Sequence, residues 1–260
     1  MNTITTILVP FNNSVTSEVA LNYAINFSKN EEDITILLAT IENGDVVPNY
    51  DPRVHFDRVI STYKRPPKVK VDFLTGKGDL INNLVELQIA KRADIIIMGT
   101  KGTSDSDTAE SNTSKLVLAA DCPVIVVPKH IKTNSISKIA LAIGAEPIDE
   151  PSSLNVLLDV SRRFGAQVHV LSIDNDSTNF SAIDEKTENT LEYYLESFYT
   201  KHAFPESSDI LQGIFDYVNK NQIDLLAILP RNHIKKGEAS KGKLTKLLTL
   251  HSQVPVLAID

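Results

Sequence analysis

Two stretches of this chain, 130 residues apart, carry the same pattern. ADIIIMGTKG (93–102) and IDLLAILPRN (223–232) each run from an aspartate through a strand of buried type into a loop. SKLVLAADCPVIVV (114–127) lines up with TKLLTLHSQVPVLAI (245–259) with one inserted residue, and TTILVPF (5–11) parallels SKIALAI (137–143). Asp94 to Asp224 is 130 residues, Lys115 to Lys246 is 131, and both Pro123 to Pro255 and Ile7 to Ile139 are 132. Chance likeness does not hold one offset across three separated segments, so the chain reads as a tandem duplication. Its 260 residues suffice for two small domains. The repeat predicts one domain at 1–130 and a degenerate copy at 136–260, joined by KHIKTNS (129–135).

Each half alternates strands with helices. TTILVPF, DITILLATIE, KVKVDFLTGKG, ADIIIMGT and CPVIVVP are short apolar runs, several of them continuous, as in strands buried on both faces. SEVALNYAINFSKN puts Val19, Ala20, Tyr23, Ala24 and Phe27 on one helical face, with Ser17 as its N-cap. Prolines 48, 52, 66 and 67 confine a second helix to about 53–64. DLINNLVELQIAKR forms a helix capped by Asp79, and another spans roughly 113–121. Such alternation implies an α/β fold with parallel pairing and helices on both faces, hence two tandem doubly wound domains. The second half is thinner. Between helices expected near 181–199 and 207–220, only TKHAFPE stands where a third strand belongs, so this domain reads as reduced.

The loop GTKGTSDSDTAESNTSK (99–115) has the parts of an anion cradle. It follows an apolar strand, opens with Gly99 and Gly102, and leads into a helix starting near Ser111–Thr113. Glycines let backbone amides approach an anion, and a helix start points its unpaired N–H groups and dipole at the same spot. Ser111 and Thr113 add hydroxyls. Taken with ILVPFNNS, TGKGDLI and CPVIVVP, this loop resembles the universal stress protein family in its tandem two-domain form. The resemblance covers nearly all of 4–128 and is weaker but collinear over 136–260. It implies, for each half, a mostly five-stranded parallel sheet of the flavodoxin- or Rossmann-like, adenine nucleotide alpha-hydrolase type. It also implies an ATP site at the carboxyl ends of the first and fourth strands, which maps here onto Asn12, Gly99, Gly102, Ser111, Asn112 and Thr113. By the same resemblance the fused halves act as an intramolecular pseudo-dimer; a further homodimer and an unidentified regulatory protein partner are left open.

The loop departs from the family's nucleotide-binding pattern. Seven residues instead of nine separate Gly102 from Glu110–Ser111, and the closing glycine is a glutamate. Counting nine lands on Asn112–Thr113, again without glycine. Asn12 stands where an acid is expected after the first strand. Asp105, Asp107 and Glu110 add negative charge, and a carboxylate ~4 Å from a phosphate costs on the order of 4 kcal/mol at an effective dielectric near 20. A helix N-terminus offers only ~0.3–1 kcal/mol in return. The second half puts Leu229 and Pro230 where Gly99 would be, and proline supplies no amide. The expectation is therefore a non-enzymatic stress-response protein with a degenerate nucleotide loop and no assured cofactor; the alternative is an ATP-binding, slowly hydrolysing relative using the N-terminal site with Mg²⁺.

Other patterns add little. GEASKGKL (237–244) nearly spells a Walker A loop, but Leu244 stands where Mg²⁺ needs a hydroxyl. Six basic residues between Arg231 and Lys246 face one acid, Glu238. DSDTAE (105–110) starts like a Ca²⁺ loop but lacks its glycine and late glutamate. The six histidines are scattered, so no metal ligand and no catalytic residue is assigned. A net charge of −7 argues against nucleic-acid binding. One cysteine, Cys122, forms no internal disulfide, and no apolar run approaches the ~20 residues that cross a bilayer. MNTITTILVPF has no secretion-signal pattern, so a cytoplasmic location is expected.

Overall fold

A computed structural model describes residues 4–29, 33–42, 51–64, 67–102, 111–144, 148, 150–174, 185–230 and 242–259. The chain divides into two compact units, one built on Ile4–Asn134 with Thr249–Gln253, the other on Ser135–Leu248 with Val254–Asp260.

In the first unit the elements run β1 (Thr6–Pro10), α1 (Val15–Phe27), β2 (Thr35–Glu42), α2 (Pro52–Ser61), β3 (Lys70–Lys77), α3 (Leu80–Lys91), β4 (Ile95–Thr100), α4 (Asn112–Ala119) and β5 (Val124–Pro128). The strands lie in the order β3-β2-β1-β4-β5, all parallel. Chain order reverses between β1 and β4, which is where open sheets of this kind leave a crevice. Ile7, Leu8, Ile95, Ile96, Ile97 and Ile125 have no exposed surface, as continuous apolar strands covered on both faces require.

Helix α1 starts three residues before the sequence-based expectation. Ser14, not Ser17, is its cap: the Ser17 amide donates to Ser14 Oγ at 3.3 Å, and Ser17 Oγ donates back to the Ser14 carbonyl at 2.9 Å. Leu21 and Ile25 are buried beside Ala20, Tyr23, Ala24 and Phe27, while Val19 is only half-buried. Helix α2 begins at Pro52 behind an Asp51 cap, and α3 carries the expected Asp79 cap, whose Oδ1 accepts from the Asn82 amide at 2.9 Å.

The second unit repeats the plan: β6 (Lys138–Ala142), α5 (Leu154–Phe164), β7 (Gln167–Leu171), α6 (Glu185–Leu195), β8 (Tyr199–Ala203), α7 (Ile210–Asn221), β9 (Leu225–Ile228), α8 (Lys243–His251) and β10 (Val256–Ala258). Its order is β8-β7-β6-β9-β10, again parallel. The thin stretch between the two helices carries a full strand, β8, after a short turn at Glu196–Phe198. It is polar because it pairs with β7 alone and turns Thr200 and Lys201 outward.

Matching local devices recur in both units. Asp94 Oδ2 accepts from the amides of Thr5 and Thr6, both at 2.9 Å, and from the Thr5 hydroxyl at 3.0 Å. Asp224 Oδ2 accepts from the amides of Ser137 and Lys138 at 2.8 and 3.0 Å. Asp79 and Asp209 cap α3 and α7 in the same way, and both helices end on a non-glycine residue in the left-handed region, Arg92 and Gln222. Among the described residues no helix is long and apolar enough to cross a membrane.

Because Asp94 gathers three donors at the start of β1, Asp94→Ala should lower stability by about 2 kcal/mol in chemical denaturation, and Asp224→Ala by a comparable amount. An unchanged midpoint would mean that water satisfies those amides equally well.

Candidate functional site

At the carboxyl ends of β1 and β4 the crevice opens into a cavity of about 550 Å³. Asn12, Gly99, Gly102, Ser111, Asn112 and Thr113 all line it. Their geometry differs from a simple anion cradle. A Cβ on Gly99 would stand 2.1 Å from the Thr16 carbonyl oxygen and 2.6 Å from its carbon. Helix α1 therefore lies against β4, and the glycine makes room for helix backbone instead of for a ligand. Gly102 has φ +73°, a left-handed conformation that side chains disfavour, and its amide donates to Thr100 Oγ1 at 3.3 Å.

The capping groups are partly committed. Ser111 Oγ accepts from the Ser114 amide at 3.0 Å and donates to Ser114 Oγ at 3.2 Å, so it serves the helix first. The Asn112 and Thr113 amides are the first-turn donors of α4 with no partner among the described residues. Thr113 is buried and Asn112 exposed. Asn12 is exposed, and its Oδ1 accepts from the Ser14 amide at 3.2 Å, closing the turn into α1. Asn13 holds φ 58°, and its side chain accepts from Arg58, which also pairs with Glu18.

Sequence reasoning missed the rest of the lining. Ala39 and Ile41 of β2, Leu80 of α3 and Met98 of β4 form an apolar floor. The two-residue alternation in TILLATIE was the signal for Ala39 and Ile41, which fall on one face. Ser14, Thr16 and Ser17 add hydroxyl-bearing residues to the lining, with Ser14 Oγ and Thr16 Oγ1 3.1 Å apart. Lys101, set between the two glycines of GTKG, is the one charged side chain among the described lining residues. Floor, hydroxyls, amides and lysine together suit a ligand with a flat apolar body and an anionic end. Asp105, Asp107 and Glu110, and with them the DSDTAE segment, lie outside the described residues. So do 231–241, which hold most of the basic loop and of GEASKGKL.

A parallel β3-β2-β1-β4-β5 sheet whose strands alternate with helices, with this crevice at the reversal of strand order, defines a doubly wound α/β fold. Residues 3–128 match the model of the universal stress protein family, and this part of the chain belongs to that family. Among curated proteins no sequence matches the chain significantly. Solved structures share the fold over nearly its whole length. A universal stress protein from Archaeoglobus fulgidus DSM 4304 is 13% identical, with 99% of this chain and 97% of that one covered and a TM-score of 0.69. A functionally unknown protein from Pseudomonas aeruginosa PAO1 is 16% identical, covering 98% and 92%, with a TM-score of 0.69. The cytoplasmic domain of a prokaryotic cation chloride cotransporter is 12% identical, covering 98% and 95%, with a TM-score of 0.60.

Gly99→Ala tests the packing role directly. The added methyl meets helix backbone, not a flexible side chain, so α1 must shift. A loss of about 3 kcal/mol is expected in a denaturant titration without ligand; full stability with only ligand binding lost would assign Gly99 to the ligand instead.

Proposed function

We propose that this chain is a non-enzymatic regulatory protein of the universal stress class. In this reading the cavity of the N-terminal unit binds a small ligand without transforming it, and the C-terminal unit is a divergent copy of the same domain. The observation that carries it is the make-up of the described lining: an apolar floor, hydroxyls, two helix amides and Lys101 as the only ionisable side chain. Such a surface can hold and orient a ligand, the apolar side chains receiving its body and the hydroxyls, amides and Lys101 its polar end. The loop spacing and the commitment of Ser111 Oγ to its own helix speak against a triphosphate seated as the family pattern would have it.

A second reading is an adenine-nucleotide protein. Lys101 and the amides of Asn112 and Thr113 favour it, because they bring one positive side chain and a helix start to the same cavity. Thermal melting of the full chain with and without Mg·ATP separates the two. Ligand at 100 times its dissociation constant adds about 2.7 kcal/mol, a rise of several degrees at about 2–4 °C per kcal/mol. The proposal expects no such rise and no release of phosphate. A rise without phosphate release moves the chain to the second reading; release of phosphate overturns the non-enzymatic one.

A further inference from the structure

The duplication sets up a comparison within the molecule. Ile7 pairs with Ile36 in the first sheet and Ile139 with Val168 in the second, so Thr40 and Ser172 occupy the same position. Leu38 pairs with Phe73 and Val170 with His202, so those two are equivalent as well. In the first unit the pair is simple. Phe73 packs edge-on against Phe56 at 5.9 Å under the Arg53 guanidinium, and Thr40 Oγ1 is buried with no partner among the described residues.

In the second unit the same two positions carry a polar cluster. Ser172, fully buried, donates its one proton to the Ile143 carbonyl at 3.2 Å. It must then accept from His202, so His202 Nε2–H donates to Ser172 Oγ across 3.1 Å. That leaves His202 Nδ1 as a bare lone pair, buried and without a hydrogen-bond partner among the described residues. It faces Glu188 Oε2 of α6 at 3.7 Å, acceptor to acceptor. The other carboxylate oxygen of Glu188 accepts from the Tyr199 hydroxyl, and Phe204 stacks on the imidazole at 4.3 Å. Serine, histidine and acid stand in the order of a nucleophilic relay. They do not form one, because the serine is sealed from solvent and the imidazole nitrogen beside it already holds a proton.

We propose that Glu188 and His202 form a proton-operated clasp between α6 and the edge strand β8: a proton taken up at Nδ1 turns two facing acceptors into a charge-assisted hydrogen bond and draws α6 onto β8. Among the described residues Glu188 is the charged group acting on the ring. Tyr199, on the ring's own strand, is held un-ionised by burial, its bond to Glu188 and the nearby charges of Glu188 and Glu192. After β7 the ring meets the Ser172 hydroxyl, itself held by the Ile143 carbonyl just beyond β6. Burial holds the imidazole's proton affinity below that of an exposed histidine, and Glu188 opposes this. Nδ1 is therefore bare at neutral pH and fills on the acid side of the ordinary value of 6.5. Since the folded value lies below the unfolded one, the neutral ring's contribution to stability is fully present above 6.5 and is lost as pH falls toward the folded value. Acid thus closes the local contact while lowering the unit's overall stability, a combination that simple acid unfolding does not give.

The test is a pH titration of the His202 ring by NMR in the full chain, beside Glu188→Gln and His202→Phe. The second variant restores the first unit's residue and keeps a ring of similar size. Expected are an Nε2–H tautomer at neutral pH, proton uptake at Nδ1 below 6.5, and a midpoint lowered by about one pH unit in Glu188→Gln, a tenfold weaker proton affinity. Amide exchange in α6, relative to intrinsic rates, should slow on acidification in the parent chain and not in His202→Phe. A midpoint indifferent to Glu188→Gln, or α6 exchange with the same pH course in parent and His202→Phe, overturns the proposal.

Discussion

A parallel sheet cannot close on itself through hairpins; each strand must be brought back to the same end by a helix, and something must set where it begins. Here a single aspartate does so in each unit. Asp94 opens β4 and holds the first amides of β1, its neighbour in space though 88 residues away in sequence. Asp224 opens β9 and does the same for β6. The ladder adds a reciprocal bond, from the Asp94 amide to the Thr6 carbonyl and from the Asp224 amide to the Lys138 carbonyl, each 2.9 Å. Side chain and backbone together fix the register of the two central strands, from which the order of the others follows.

Much of the architecture was legible because it rests on patterns the sequence repeats. Continuous apolar runs marked β1, β4 and β5, and the constant offset of Asp94 and Asp224 revealed the duplication. Devices that depend on one or two atoms were harder to see. Ser14 and Ser17 both suit a helix cap, and only the path of the chain after β1 selects Ser14. Strand β8 hid behind YTKHA because an edge strand with an exposed face needs little apolar character. The register shift between Val168 and His169 further blurs its alternation.

The site was half legible. Its loop residues announced themselves through glycines and hydroxyls, and all six come together. The floor did not, because Ala39, Ile41 and Leu80 look like any core residues until β2 and the start of α3 bring them to one cavity. The meaning of Gly99 was also hidden. A glycine at the end of a strand suits a ligand or a neighbouring backbone equally well, and the 2.1 Å approach to Thr16 decides for the backbone.

That approach constrains how such a chain can drift. On the loop side of the cavity, exposed side chains such as Lys101 and Asn112 can be exchanged singly at little cost to the scaffold. The strand side has no such latitude, since the atom that would obstruct a newcomer there is the helix itself. Over many generations a lineage can rework the rim of this hollow residue by residue, while its strand-side wall is inherited as a single piece.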